Sequence, residues 1–445
     1  MSQKTSRQRL EDLYQAAIVA IQPDRAVCAA LDHAGDVALH ANGGLLHVIA
    51  IGKAARTMLR AALAWCEAQG QAVAGGVCVS HETDDAALPS TITVTHGDHP
   101  HPGDASATAG ALLRTYVASA VVPGARVLVL LSGGTSSLIG APVHAVTHDT
   151  YRACCAALLR SGLDIHAHNA LRRQLSMWGN GRLGAELHGA GAVVTVLAIS
   201  DVPGDAAVSI GSAPCIASPV QTAADEALLA SAVSLTDDDR VTLREALRAA
   251  ESLQAAEFPA IAHHVVSSNR TAREAVAAVA GSAIRVEVSD EMLVEDAHRC
   301  GEMIARQLIA ARATLAEPTL LCWGGEPVVH VPSGAPRGGR MQALALAVAR
   351  TLHDAGTDAA HGITLLAAGS DGRDGDTAAA GAVVDGMTWS TIERSGRDPL
   401  QLLTSHDSHA ALRDAGCLIP AFVSGTNVND LVIALVEPVR RDEAP

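Results

Sequence analysis

Nine short apolar runs punctuate the chain: LLHVIAI (45–51), GGVCVS (75–80), TITVTH (91–96), RVLVLL (126–131), VVTVLAI (193–199), HVVSS (264–268), TLLCW (319–323), ITLLAA (363–368) and LIPAFV (418–423). Their apolar residues run on rather than alternate, the pattern of strands covered on both faces. Ala-rich stretches of helical spacing lie between them, at 54–69, 104–120, 150–160, 270–280 and 342–353. This alternation predicts an α/β protein with largely parallel sheets.

Residues 221–315 carry long Ala/Leu/charged helices and few strands, and the strand–helix alternation resumes near 318. Two α/β domains joined by a helical connection are expected, within the two or three domains that 445 residues allow. No internal repeat stands out. Composition narrows the class. Apolar residues make up 49% of the chain, enough for large cores. No apolar run is long and unbroken enough for a transmembrane helix. The start, MSQKTSRQRLEDLYQAA, reads as a polar entry to a helix rather than a signal peptide. A net charge of −15 and few aromatics argue against nucleic-acid or membrane partners. Nine scattered cysteines without a C-x-x-C pair suit reduced thiols and a cytoplasmic location. The adjacent Cys154 and Cys155 read as core filling.

Ligands of α/β sheets bind at the carboxyl ends of strands, so the residues after each run hold the chemistry. Gly52-Lys53 follows the first run and Ser132-Gly133-Gly134-Thr135-Ser136-Ser137 the fourth. Ser200-Asp201-Val202-Pro203-Gly204-Asp205 follows the fifth. Later runs end in Gly324-Gly325-Glu326, in Gly369-Ser370-Asp371-Gly372-Arg373-Asp374-Gly375-Asp376 and in Ser424-Gly425-Thr426-Asn427-Val428-Asn429-Asp430. Six such endings suggest the rim of one site. The SGGTSS stretch can cradle a phosphate or carboxylate on backbone N–H groups, or simply turn the chain. Lys53 can neutralise such an anion. Asp201 and Asp205 suit Mg2+, which takes one or two carboxylates with phosphate oxygens and water; alternatively they cap a Pro-Gly turn. Arg340, after two glycines at a helix start, can meet a transferring phosphoryl group.

Other patterns carry less. GNGRLG (179–184) matches the dinucleotide fingerprint, but the preceding LRRQLSMW reads poorly as a buried strand. No P-loop motif occurs. SDGRDGD lacks the Glu that a calcium loop needs twelve positions on from Asp371, where Ala382 stands. His96, His99 and His101, and likewise His166 and His168, complete no metal set and read as loop residues.

Together these stretches resemble the glycerate 2-kinases of the MOFRL type, whose bacterial members often bear the label hydroxypyruvate reductase. The resemblance runs from about residue 10 to 437 through AIGKAA, DHPHPGD, LSGGTSSL, NALRRQLS, ISDVPGD, SSNRTAREA, WGGEP, GGR, AAGSDGRDGDTAAAGA and SGTNVND. It implies two α/β domains around a cleft: an N-terminal Rossmann-like domain over 8–255, a connection over 256–317 and a smaller MOFRL domain over 318–437. It also implies phosphoryl transfer from ATP to the 2-hydroxyl of D-glycerate with Mg2+. By position, Lys53 and Arg340 would stand at the transferring phosphate. Ser132, Gly133, Gly134 and Thr135 would cradle phosphate or carboxylate. Asp201 would sit beside the metal or the attacking hydroxyl, supported by Asp205. Glu326, Asp371, Asn427 and Asp430 would line the cleft. The partners are then a small hydroxy acid and a nucleotide, and a homodimer is compatible.

The chain departs from the family pattern in places. Gly179, Met341 and Ala343 stand where the family usually has Lys, Asn and Glu, and Thr135 where it has a third Gly. Those losses leave two alternatives beside the kinase: an NAD(P)H-dependent hydroxypyruvate reductase and a non-catalytic sugar-acid-binding paralogue.

Overall fold

A computed structural model describes residues 5–33, 44–81, 88–160, 171–217, 227, 229, 235–250, 261–281, 284–332, 334 and 336–439. The described residues form two compact units, one from residues 23–266 and the other from 1–22 together with 267–445. The expected 255/256 boundary, His166, His168 and the start of NALRRQLS lie outside the described residues.

The first unit is built on a six-stranded sheet of order β3-β2-β1-β4-β5-β6. Its strands are β1 (Leu46–Ile51), β2 (Val73–Ser80), β3 (Ile92–His96), β4 (Arg126–Leu131), β5 (Val193–Ile199) and β6 (Ala262–Ser267). β1 pairs in parallel with β2 and β4, β2 with β3, and β4 with β5. All six residues of β1 and of β4 are buried, as their unbroken apolar runs require. Ile49, Val77, Val129 and Val196 pack with Leu113 and Val117 of the Asp104–Ala120 helix and with Leu183 and Leu187 of the Arg182–Gly189 helix. Cys154 and Cys155 fill a smaller buried cluster with Tyr151, Leu171 and Leu243. All nine cysteines are free thiols.

The second unit departs from the expected parallel arrangement. Its sheet has the order β11-β10-β9-β12-β8-β7, from β7 (Arg285–Leu293), β8 (Thr319–Gly325), β9 (Ile363–Gly369), β10 (Ala379–Asp385), β11 (Leu418–Pro420) and β12 (Asp430–Val436). Only the β7–β8 pair is parallel; β12 runs antiparallel to both β8 and β9, and β10 antiparallel to β9 and β11. Unbroken apolar runs report burial on both faces, and antiparallel strands under helices bury both faces equally well. The Ala297–Thr314 and Arg340–Asp354 helices pack through Ile304, Leu308, Leu344 and Val348 onto Leu365, Val432 and Ala434. The N-terminal Ser6–Ala20 helix belongs to this unit: Arg7 donates to the Gly416 and Leu418 carbonyls, and Tyr14 Oη to the Gly369 carbonyl at 2.5 Å. Among the described residues no helix is long and apolar enough to cross a membrane.

Candidate active site

Parallel pairing puts the carboxyl ends of β1, β4 and β5 on one edge of the first sheet, and three of the six strand endings meet there. Lys53 N donates to the Gly133 carbonyl at 2.9 Å and Ala54 N to Ser132 Oγ at 3.0 Å. Gly52 has φ +134°, and a Cβ there would strike Ser132. Two loops that touch so closely leave no room for a side chain at 52. Gly134, at φ +87°, turns the chain into the short Thr135–Leu138 helix. Thr135 is fully buried, and its hydroxyl faces inward to the Ile51 and Ser132 carbonyls at 2.9 and 2.8 Å. It braces the loop from beneath. Lys53 is exposed and forms no ion pair with a described residue.

The carboxylate of Asp201 lies against this loop: a Cβ on Gly133 would run into its Oδ2. Asp205 follows at the end of a one-turn segment, Pro203–Asp205, in which Gly204 has φ +77° and Asp205 itself φ +55°. Among the described residues no set of three His, Cys, Asp or Glu is disposed to hold a metal. Two carboxylates on one rigid turn beside an anion loop suit Mg2+ bound together with phosphate oxygens, rather than a cation held by protein alone. His99, read in the sequence as a loop residue, comes to this edge as well. Its ring edge stands 3.1 Å from where a Gly134 Cβ would be, and the Lys53 stem 3.3 Å from the same point. Burial, then the charges of Lys53, His81, His101 and Arg172, push its pKa down to about 4. The signal that could have found it was the glycine at 134, whose missing side chain makes room for a neighbour.

The other three endings gather in the second unit, by a different route. Antiparallel pairing sets Asp430, the first residue of β12, opposite both Gly325 at the end of β8 and Gly369 at the end of β9. The SGTNVND stretch therefore enters this edge from before a strand. Arg340 grips Asp430 with two hydrogen bonds, Nε to Oδ2 at 2.5 Å and Nη2 to Oδ1 at 3.2 Å, and gives Nη1 to Glu326 Oε1 at 2.9 Å. Burial works against the arginine's charge, but Asp430 and Glu326 outweigh it and hold Arg340 more firmly protonated than usual. Asp430 is buried and its carboxyl is pushed up by that burial, with Arg340 opposing. Asn269 Nδ2 donates to the Val428 and Asp430 carbonyls at 3.0 and 2.9 Å, and so fixes the approach to β12. Asn427 and the exposed Asp371 each accept a backbone N–H two residues on, from Asn429 at 3.0 Å and Arg373 at 2.9 Å. Both shape turns.

Asp374, which the sequence reading names in the SDGRDGD ending without a role, has one in the structure. It is buried, and its carboxylate accepts from Met341 N at 3.0 Å, Gln342 N at 2.8 Å and Gln342 Nε2 at 2.9 Å. It thereby caps the helix that begins with Arg340. A Cβ on Gly339 would collide with it, which explains the glycine before the arginine. The N-cap preference is usually read one residue before a helix; here the capping acid lies 33 residues beyond Met341, whose N–H it accepts, out of reach of local reading.

The departures from the family pattern fall on packing positions. Met341 and Ala343 are buried in the second unit's core. A Cβ at Gly179 would point at the Arg173 carbonyl, 2.5 Å away. GNGRLG follows a helical turn and the Ser176 bridge to Pro142, not a buried strand. Arg182 uses it to reach the carbonyls of Gln174, Ser176 and Gly179 at 3.0, 2.9 and 3.1 Å. That is a chain-folding role, and it removes the structural context that a dinucleotide fingerprint needs.

Comparison with known proteins agrees with these features. Residues 9–248 match the family described as "Domain of unknown function (DUF4147)", and residues 319–430 the MOFRL family. A D-glycerate 2-kinase of Thermotoga maritima is 32% identical over 96% of this chain and 97% of its own. A protein of Agrobacterium vitis named putative hydroxypyruvate reductase is 30% identical over 97% of this chain and 95% of its own. The crystal structure of glycerate kinase (EC 2.7.1.31) from Thermotoga maritima superposes with a TM-score of 0.83 at 29% identity, covering 96% of this chain and 99% of that one. With both halves matched and relatives aligned nearly end to end, the chain belongs to the MOFRL-type glycerate 2-kinase family.

Proposed function

We propose that the chain transfers the γ-phosphoryl group of ATP to the 2-hydroxyl of D-glycerate or a similar small hydroxy acid, with Mg2+. The observation that carries this reading is the edge of the first sheet, where an ammonium, a glycine loop and a carboxylate meet at three adjacent strand ends. Phosphoryl transfer is mostly positioning and charge neutralisation, and these are the groups it needs. The loop amides and Lys53 bind anionic oxygens. Asp201 accepts the proton of the 2-hydroxyl as its oxygen bonds to the γ-phosphorus. The bond from that phosphorus to the β,γ-bridging oxygen breaks, and ADP leaves. Arg340, oriented by Asp430 and Glu326, is assigned to phosphate oxygens. Asp201 and Asp205 would hold Mg2+, which supplies further charge neutralisation when bound. Nine free thiols suit a reducing cytoplasm as the place of work.

The test is ADP release from ATP, Mg2+ and D-glycerate, with NADH oxidation by hydroxypyruvate run in parallel. ADP release accompanied by 2-phosphoglycerate is the expected result. NADH oxidation without ADP release would sink the kinase reading.

A further inference from the structure

The motif DHPHPGD (98–104) has no part in the reaction as derived so far, yet much of the chain is spent on placing it. Gly97 packs so closely on Leu138 that a Cβ would overlap its backbone, and Gly140 does the same against Pro102, with its Cβ position 2.5 Å from that ring. Ser137 Oγ donates to the Pro100 carbonyl at 2.6 Å. Asp98 and Ser106 exchange bonds, Asp98 N to Ser106 Oγ at 2.8 Å and Ser106 N to Asp98 Oδ2 at 3.2 Å. These ties strap the segment to the helix that follows the glycine loop and to the helix that follows the motif itself. His99 and His101 take no part in these ties, and of the two it is His99 that comes beside Gly134 and Lys53. Its ring is partly enclosed, keeps access to solvent and makes no hydrogen bond to a described residue; its ring neighbour is His81, with centroids 5.9 Å apart. Its Nε2 edge and the Lys53 stem flank the same point, lying 3.5 and 3.3 Å from the place of a Gly134 Cβ.

We propose that His99 is a specificity-determining residue that hydrogen-bonds the small α-hydroxy-acid substrate beside Lys53, an assignment that rests on the kinase reading above. An α-hydroxy acid carries a carboxylate and a hydroxyl on adjacent carbons. Lys53 and the loop amides suit the carboxylate, whose charge needs a counter-charge and donors. The hydroxyl needs a directional partner that can donate or accept. A neutral imidazole has one nitrogen of each kind. Burial and the cations around it keep His99 neutral at pH 7. A site that reads a hydroxyl by a hydrogen bond discriminates strongly against a substrate that lacks it.

Steady-state kinetics with each substrate varied in turn test this. His99→Ala is expected to raise KM for D-glycerate by about 10- to 100-fold, with kcat within about threefold and KM for ATP unchanged. His99→Gln, which keeps a donor and an acceptor, regains part of the loss and guards against a folding artefact. Inhibition by the keto analogue hydroxypyruvate changes less than KM for D-glycerate, an asymmetry that a purely structural role would not produce. Unchanged KM for D-glycerate, or a shift in KM for ATP instead, overturns the assignment. If the wild-type chain proves inactive as a kinase, calorimetric titration with D-glycerate, lactate and glycolate separates the two ideas. Weaker binding by His99→Ala keeps the histidine while the kinase reading falls. Equal binding, or no binding to the wild type, overturns the histidine as well.

Discussion

Each unit gathers polar residues at one edge of its sheet, but the two edges treat their cation differently. In the first unit Lys53 has no acidic partner among the described residues, and the loop around it is held by backbone hydrogen bonds. In the second, Arg340 is already matched by Asp430, with Glu326 beside it. An anion arriving at Lys53 breaks no ion pair with a described residue. One arriving at Arg340 competes with carboxylates, one of them buried. The first edge leaves its cation open to an anion; the second holds its cation in place. Parallel and antiparallel pairing reach these two outcomes from similar glycine-rich strand ends.

The largest effects should come from the first edge. Asp201→Asn removes the proton acceptor proposed above and should cut kcat by about 10²- to 10⁴-fold. Lys53→Ala should cut kcat/KM by about 10²- to 10³-fold, in line with the loss of a preorganised charge contact. Because Lys53 has no ion pair with a described residue to lose, its variant should melt with the wild type in a thermal scan. A full loss of stability in Lys53→Ala, or undiminished turnover, would erase the contrast between the edges.

The second edge should answer in stability first. Asp430→Ala leaves the Arg340 guanidinium half-buried, bonded to Glu326 and with Asp374 nearby. Breaking a buried ion pair on one side costs about 3–5 kcal/mol, visible as a lowered midpoint in urea. Since the second unit holds this pair without help from substrate, the loss should appear in the protein with no ligand added. If Asp430→Ala unfolds at the wild-type midpoint, the pair is not structural and the contrast fails.

A smaller, pH-dependent effect sharpens the comparison on the first unit's side. His263 lies on β6, and burial pushes its pKa down to about 4; contact with the Cys215 backbone opposes this and His264 adds to it. The folded state therefore binds fewer protons than the unfolded chain between about pH 6.5 and 4. Stability contributed by the neutral ring is present above that window and lost as pH falls through it. His263→Gln cannot titrate, so its melting temperature should fall less between pH 7 and pH 5, by about 2–4 °C in the difference. Parallel curves for the two proteins would remove His263 from the account.

Much of this was legible in the chain. The nine apolar runs all correspond to strands; burial on both faces explains the unbroken signature of strands such as β1 and β4, whereas β3, β6 and β11 are only partly buried. Three strands escaped. β7 is largely exposed along its length, β10 is rich in Ala and Gly, and β12 follows directly on the polar SGTNVND loop. The expected parallel direction held in the first sheet but not in the second, since direction is decided by connections between strands and not by composition. At the site, Lys53, Ser132, Gly133 and Asp201 could be picked out by their place after strands. Asp374 and His99 could not. The first acts on a helix far away in sequence, and the second is placed by glycines whose meaning appears only when another segment fills the gap.

The finest distinction concerns the two acids on Arg340. Asp430 is buried with a side chain only 4% exposed, whereas Glu326 is 45% exposed. The buried partner grips through two bonds and fixes the guanidinium plane; the exposed one contributes a single bond in water, worth about 0–1 kcal/mol. Glu326→Gln should therefore leave the urea midpoint almost unmoved. It also removes a negative charge that competes with an incoming phosphate for Arg340 Nη1. KM for ATP should fall slightly, by about twofold, and the gain should fade as salt is added, because an exposed charge is screened. A rise in KM instead would mean that Glu326 positions Arg340 for its phosphate as much as Asp430 does, and the division of labour between the two acids would have to be redrawn.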